Sequence, residues 1–125
     1  MDGLLLFAHG ARDPAWSRPF EAVAEQIAAR KPGMPMALAY LEFMSPNMEE
    51  AAQSLVAAGC TDVHIVPLFL GAGGHVRKDV PALIERLQAQ HGPQISWRLH
   101  STIGDHAIVT QAMAEAALQY LEAKA

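Results

Sequence analysis

Apolar runs alternate along this chain with stretches whose apolar residues recur every three or four positions. That alternation narrows the fold to βα units around a parallel sheet. Two of the runs, Leu4-Leu5-Leu6-Phe7-Ala8 and Ile65-Val66-Pro67-Leu68-Phe69-Leu70, read as buried strands and end alike. His9-Gly10-Ala11-Arg12-Asp13-Pro14 follows the first, and Gly71-Ala72-Gly73-Gly74-His75 follows the second. If the two strands are parallel neighbours, both imidazoles project into one crevice.

The remaining elements follow from periodicity and punctuation. The first strand covers about residues 3–8, and Trp16, Phe20, Val23 and Ile27 mark an amphipathic helix reaching about Arg30, with Pro19 in its first turn. A second strand is expected over Met36–Glu42. Ser45-Pro46 then reads as an N-cap and first helical residue, Met48, Ala51, Ala52, Leu55 and Val56 as a buried face, and Gly59 as the stop. The third strand is expected over Asp62–Leu70. Pro81 would break a helix begun at His75, so the third helix is expected to start at Asp79 and to leave residues 71–78 as a loop. A fourth strand over Gln94–Leu99 precedes a last helix capped by Asp105, with Ile108, Val109, Met113, Ala116, Tyr120 and Leu121 on its apolar face.

Four βα units in 125 residues give a single domain over residues 1–125, a three-layer α/β/α sandwich on a four-stranded parallel sheet. Right-handed crossovers with helices on both faces favour the strand order 2-1-3-4. The switch point then lies between strands one and three, where such sheets bind ligands at their carboxyl ends.

Composition excludes several classes. A net charge of −4 argues against a nucleic-acid surface. The single cysteine, Cys60, excludes an internal disulfide and fits a reducing compartment. The first apolar run is too short to span a membrane and lacks a signal peptide's basic start, so a cytoplasmic protein without a membrane partner is expected. There is no G-x-S-x-G elbow and no H-E-x-x-H pair, and no arginine precedes His9 as a histidine phosphatase would require.

His9 and His75 are the candidate metal ligands. Strands lie about 4.8 Å apart and metal–imidazole bonds run about 2.0–2.1 Å, so side chains leaving neighbouring strand ends can meet on one ion. Glu42, closing the second strand, is the candidate third ligand or proton acceptor. Arg12, Arg77 and Lys78 flank the histidines and suit the carboxylates of an anionic substrate. Gly73 and Gly74 let the backbone approach a flat ligand. His64 and His91 read as structural histidines.

The blocks His9-Gly10-Ala11-Arg12-Asp13-Pro14, Ala39-Tyr40-Leu41-Glu42 and Val66-Pro67-Leu68-Phe69-Leu70 with Gly74-His75-Val76 and Asp79-Val80-Pro81 resemble the class II tetrapyrrole chelatases of the CbiX type. The similarity runs in order from residue 3 to about 90. It implies a sirohydrochlorin metallochelatase with His9 and His75 on the metal and Glu42 beside them. The divalent metal would be a substrate, cobalt first with nickel or iron as alternatives, and no organic cofactor is expected. Relatives of this length resemble half-domains that pair as homodimers. The chain departs from the family's usual Gly-x-Asp-Pro stretch at Gly104-Asp105-His106, where His100 and His106 are either auxiliary ligands or surface histidines. The competing reading is a metal carrier or sensor that never meets a tetrapyrrole.

Overall fold

The computed structural model describes residues 1–71 and 73–122, and for residues 74–76 the backbone alone. Four parallel strands, β1 (Asp2–Ala8), β2 (Met36–Tyr40), β3 (Asp62–Pro67) and β4 (Ser96–Leu99), lie in the order β2-β1-β3-β4. This is the expected order. The register pairs Ala8 with Tyr40 and Phe7 with Pro67, so β1 ends between the ends of β2 and β3.

One face of the sheet carries the core. Leu5, Phe7, Val63 and Ile65 are fully buried there against α2 (Met48–Ala57) and α3 (Gly74–His91). Burying a side chain of this size stabilises the fold by about 1.5–3 kcal/mol. The buried face of α2 is Met48, Ala51, Ala52 and Leu55, and that of α3 is Val80, Ile84 and Leu87. Both match the periodicity of the sequence. The opposite face bears α1 (Arg18–Arg30), entered through a 3-10 turn at Pro14–Ser17, and the exit to α4 (Ala107–Glu122) through a 3-10 turn at Ile103–Asp105.

Several boundaries differ from expectation. The N-cap of α2 is Asn47 rather than Ser45, because Asn47 and Glu50 cap each other: the Glu50 N–H donates to Asn47 Oδ1 at 2.8 Å and the Asn47 N–H to Glu50 Oε1 at 2.9 Å. The Ser45–Pro46 peptide is cis, and the Pro46 carbonyl instead accepts from Tyr40 at the end of β2. Strand β3 stops at Pro67 and β2 at Tyr40, short of Leu70 and Glu42, although Leu41 and Glu42 still bond to the carbonyls of Ala8 and His9.

Helix α3 begins at Gly74, not Asp79, with Gly73 as its N-cap and Pro81 inside it. A helix tolerates this by giving up one bond, since a proline N has no proton for the carbonyl of Arg77 four residues back. Apolar burial of Val80, Ile84 and Leu87 outweighs that loss. Asp105 sits in the 3-10 turn and does not cap α4, which begins two residues later. The apolar face of α4 is also uncovered, since none of its residues is buried.

Candidate functional site

His9 follows β1 directly, and Glu42 lies two residues beyond β2. The parallel pairing continues past both strand ends: the Leu41 N–H donates to the Ala8 carbonyl at 3.0 Å and the Glu42 N–H to the His9 carbonyl at 3.1 Å. This zips the two loops together and puts His9 Nε2 3.7 Å from Glu42 Oε1, both side chains about half exposed. Gly10 makes the approach possible. Its φ is +95°, and a Cβ there would lie 1.9 Å from the Glu42 carbonyl oxygen, so only glycine fits.

At 3.7 Å the two atoms are too far apart for a strong hydrogen bond, yet each can reach one ion at about 2.1 Å. The exposure leaves such an ion open to solvent and to a second ligand. The His9 ring is braced on its other side by Phe69, just beyond β3, with centroids 5.9 Å apart and planes at 70°. Phe69 also meets Phe7 of the core edge-on, so the imidazole is anchored to packed structure.

Arg12 reaches the loop that follows β2. Its guanidinium carbon is 4.9 Å from the centroid of Phe43, an exposed residue in a left-handed conformation (φ 66°) immediately after Glu42. Stacking holds the cation against the residue that follows Glu42. Behind this loop the Ser17 hydroxyl donates to Glu21 at 2.7 Å. Burial pushes the Tyr40 phenol above its ordinary value, a Ser17 hydrogen bond pulls it down, and the Glu21 charge pushes it up. Tyr40 therefore stays protonated at neutral pH and serves as structure.

Arg77 and Lys78 are exposed on the first turns of α3. Arg77 lines a recess of about 370 Å³ with Phe69, Gly71, His100 and Asp105, and Phe69 also meets the His9 ring. A Cβ added at Gly71 or Gly73 would meet nothing within 4 Å, which leaves open space over the loop. Gly74 and His75 are the first two residues of α3. The His75 side chain lies outside the described residues, so its approach to His9 is taken up below as a proposal.

The other histidines separate from this group. His64, on β3, stacks on His100 with ring centroids 5.1 Å apart, and His64 Nδ1 is 2.9 Å from His100 Nε2. His64 also joins Asp2 and Asp62 in a cluster whose potential ligand atoms lie within 4.8 Å of one another. There, however, the Arg98 guanidinium already holds Asp62 at 2.7 Å, a fixed cation where an ion would have to sit. His91 packs against Trp97. Sequence reasoning missed Phe69, Phe43 and Gly104. Only Gly104 carried a signal: its N–H donates to Phe69 at 2.9 Å and a Cβ there would lie 1.9 Å from the Leu70 carbonyl oxygen, so the Gly104-Asp105-His106 stretch pins the loop that carries Phe69.

Comparison with known proteins shows the family and the fold. A sirohydrochlorin cobaltochelatase of Saccharolobus solfataricus is 34% identical over 84 residues, 67% of this chain and 64% of that protein. The chain spans less than two thirds of the curated relatives it first matches. Among solved structures, a CbiX protein of Marinobacter aquaeolei VT8, assigned to cobalamin (vitamin B12) biosynthesis, superposes with a TM-score of 0.87 at 36% identity and covers 98% of both chains. The sirohydrochlorin chelatase SirB of Bacillus subtilis subspecies spizizenii, solved with cobalt, shares the fold at a TM-score of 0.82 and 24% identity, with 94% of this chain matching 50% of that one. The CbiX family model matches residues 3–120, and the chain belongs to the CbiX family.

Proposed function

We propose that this chain is a sirohydrochlorin metallochelatase, inserting a divalent metal, cobalt first and nickel or iron as alternatives, into a carboxylate-rich tetrapyrrole. The observation that carries this reading is the His9–Glu42 pair, 3.7 Å apart and half exposed at the carboxyl ends of adjacent parallel strands. An imidazole and a carboxylate, joined by His75 from the start of α3, make an open shell of two or three protein ligands. A closed four-ligand site would hold the ion too firmly for delivery. The relatives named as sirohydrochlorin cobaltochelatases support the choice of substrate.

Insertion forms four metal–nitrogen bonds and releases two pyrrole protons. Glu42, when not on the metal, accepts one at its carboxylate, and an unligated imidazole or water takes the other. Arg12 on one side and Arg77 with Lys78 on the other hold the substrate carboxylates, while Gly73 and Gly74 let the macrocycle come close to the backbone. A single open face cannot enclose a macrocycle, because ligand sites usually bury most of their ligand. Two copies of the chain would therefore form the cleft as a homodimer, and the SirB chain of about twice this length supports such a pairing. The lone buried thiol of Cys60 suits the reducing cytoplasm. No described helix is long and apolar enough to cross a membrane.

The test is to mix the protein with sirohydrochlorin and cobalt(II) and follow the tetrapyrrole absorbance. Glu42→Gln is expected to slow insertion by about 10²-fold or more and His9→Ala to abolish it, each with unchanged circular dichroism. Cobalt binding without any spectral change in sirohydrochlorin would instead identify a carrier or sensor.

A further inference from the structure

Three of the chain's six histidines, His64, His100 and His106, line one recess of about 590 Å³ on the sheet face opposite the core, together with Asp2. Metal insertion at His9 and Glu42 requires none of them. His64 projects from β3, and His100 is the first residue beyond β4. Their facing ring nitrogens, His64 Nδ1 and His100 Nε2, are 2.9 Å apart, with the ring planes within 6° of parallel. Burial does not force this contact. His100 is exposed and the His64 side chain is 33% exposed, so water could serve each of these nitrogens.

Asp62 sets which nitrogen of His64 is free. Its Oδ1 accepts from Arg98 at 2.7 Å, which fixes the carboxylate, and its Oδ2 faces His64 Nε2 at 3.9 Å. A carboxylate beside Nε2 favours the tautomer protonated there and leaves the Nδ1 lone pair for His100 or for a metal. Arg98 excludes an ion on the Asp62 side of the His64 ring. The opposite side, toward His100, carries no such cation among the described residues.

We propose that His64 Nδ1 and His100 Nε2 form a second site for a divalent transition metal, with His106 and water completing its shell. Two nitrogens at right angles on one ion, with bonds of about 2.1 Å, lie about 3.0 Å apart, close to the spacing already present. The exposed His100 ring has room to tilt until both lone pairs meet at the ion, while its backbone N–H stays bonded to the Ile65 carbonyl at 3.0 Å. Imidazole donors suit cobalt, nickel or zinc, whereas magnesium and calcium prefer oxygen. Two protein ligands on an open face hold such an ion loosely enough to release it. His100 also lines the recess that contains Phe69, and Phe69 meets the His9 ring, so the second site adjoins the first and can supply it. The supply role rests on the metallochelatase reading; the binding of metal does not.

Cobalt(II) titrated into the full chain by calorimetry is expected to fill two sites per chain in the wild type and one in His100→Gln. His100 is exposed, so this change should not prevent folding. In His9→Ala, excess zinc(II) should shift the ring nitrogen resonances of His64 and His100 in NMR spectra. A wild type that binds a single cobalt, or ring resonances of His64 and His100 that zinc does not move, would refute the second site. In the insertion assay His100→Gln should raise the cobalt KM about tenfold with kcat unchanged, the sign of lost metal capture rather than lost chemistry. An unchanged KM would refute the supply role. A wild type that binds two ions and inserts neither would refute the metallochelatase reading and leave the second site standing.

Discussion

The approach of His9 to Glu42 depends on a residue with no side chain. Gly10 lets two loops pass at a distance that any Cβ would forbid, and the imidazole and carboxylate on either side meet as a result. Gly10→Ala is expected to lower stability by about 1–3 kcal/mol, from the strained φ and the displaced Glu42 backbone, and to slow metal insertion at the same time. Urea unfolding and the cobalt assay measure the two effects. A variant with normal stability would mean that the loops separate at little cost. His9, Glu42 and Arg12 could be singled out in the sequence because a polar residue at or just past the end of an apolar run has no role in a core. Phe69 and Phe43 were not legible, since an aromatic residue in a loop looks the same whether it braces an imidazole, holds a guanidinium or faces solvent.

At the level of elements, local signals compete and tertiary contacts decide. Ser45-Pro46 and Asn47 are both plausible starts for α2, and Asn47 prevails because Glu50 stands three residues further on to complete the reciprocal cap. Asn47→Ala is expected to destabilise the protein by about 1 kcal/mol, whereas Ser45→Ala should shift the thermal midpoint little. Equal effects from the two changes would place the cap elsewhere. Pro81 misled in the opposite direction. The rule that proline breaks a helix holds for isolated segments, but α3 has Val80, Ile84 and Leu87 pressed against the sheet, and their burial carries the helix through one missing bond. The early start at Gly74 places Gly74 and His75 in the first helical turn instead of a loop.

For the molecule as a whole, one face of the sheet is finished and the other is not. If two copies pair as proposed, folding and pairing are linked. The urea midpoint should then rise with protein concentration, each tenfold increase adding about 1.4 kcal/mol per mole of dimer. A midpoint independent of concentration would separate stability from association. By itself the sequence determined the parallel sheet, its strand order, the face that α2 and α3 bury and the strand ends near which His9 and Glu42 lie, because period and glycine placement are local and strand order follows from the handedness of the crossovers. Only the tertiary structure decided that His9 and Glu42 face each other across Gly10, and that no residue of α4 is buried among the described residues. Both depend on where distant backbones come to lie, and no spacing along a chain encodes that distance.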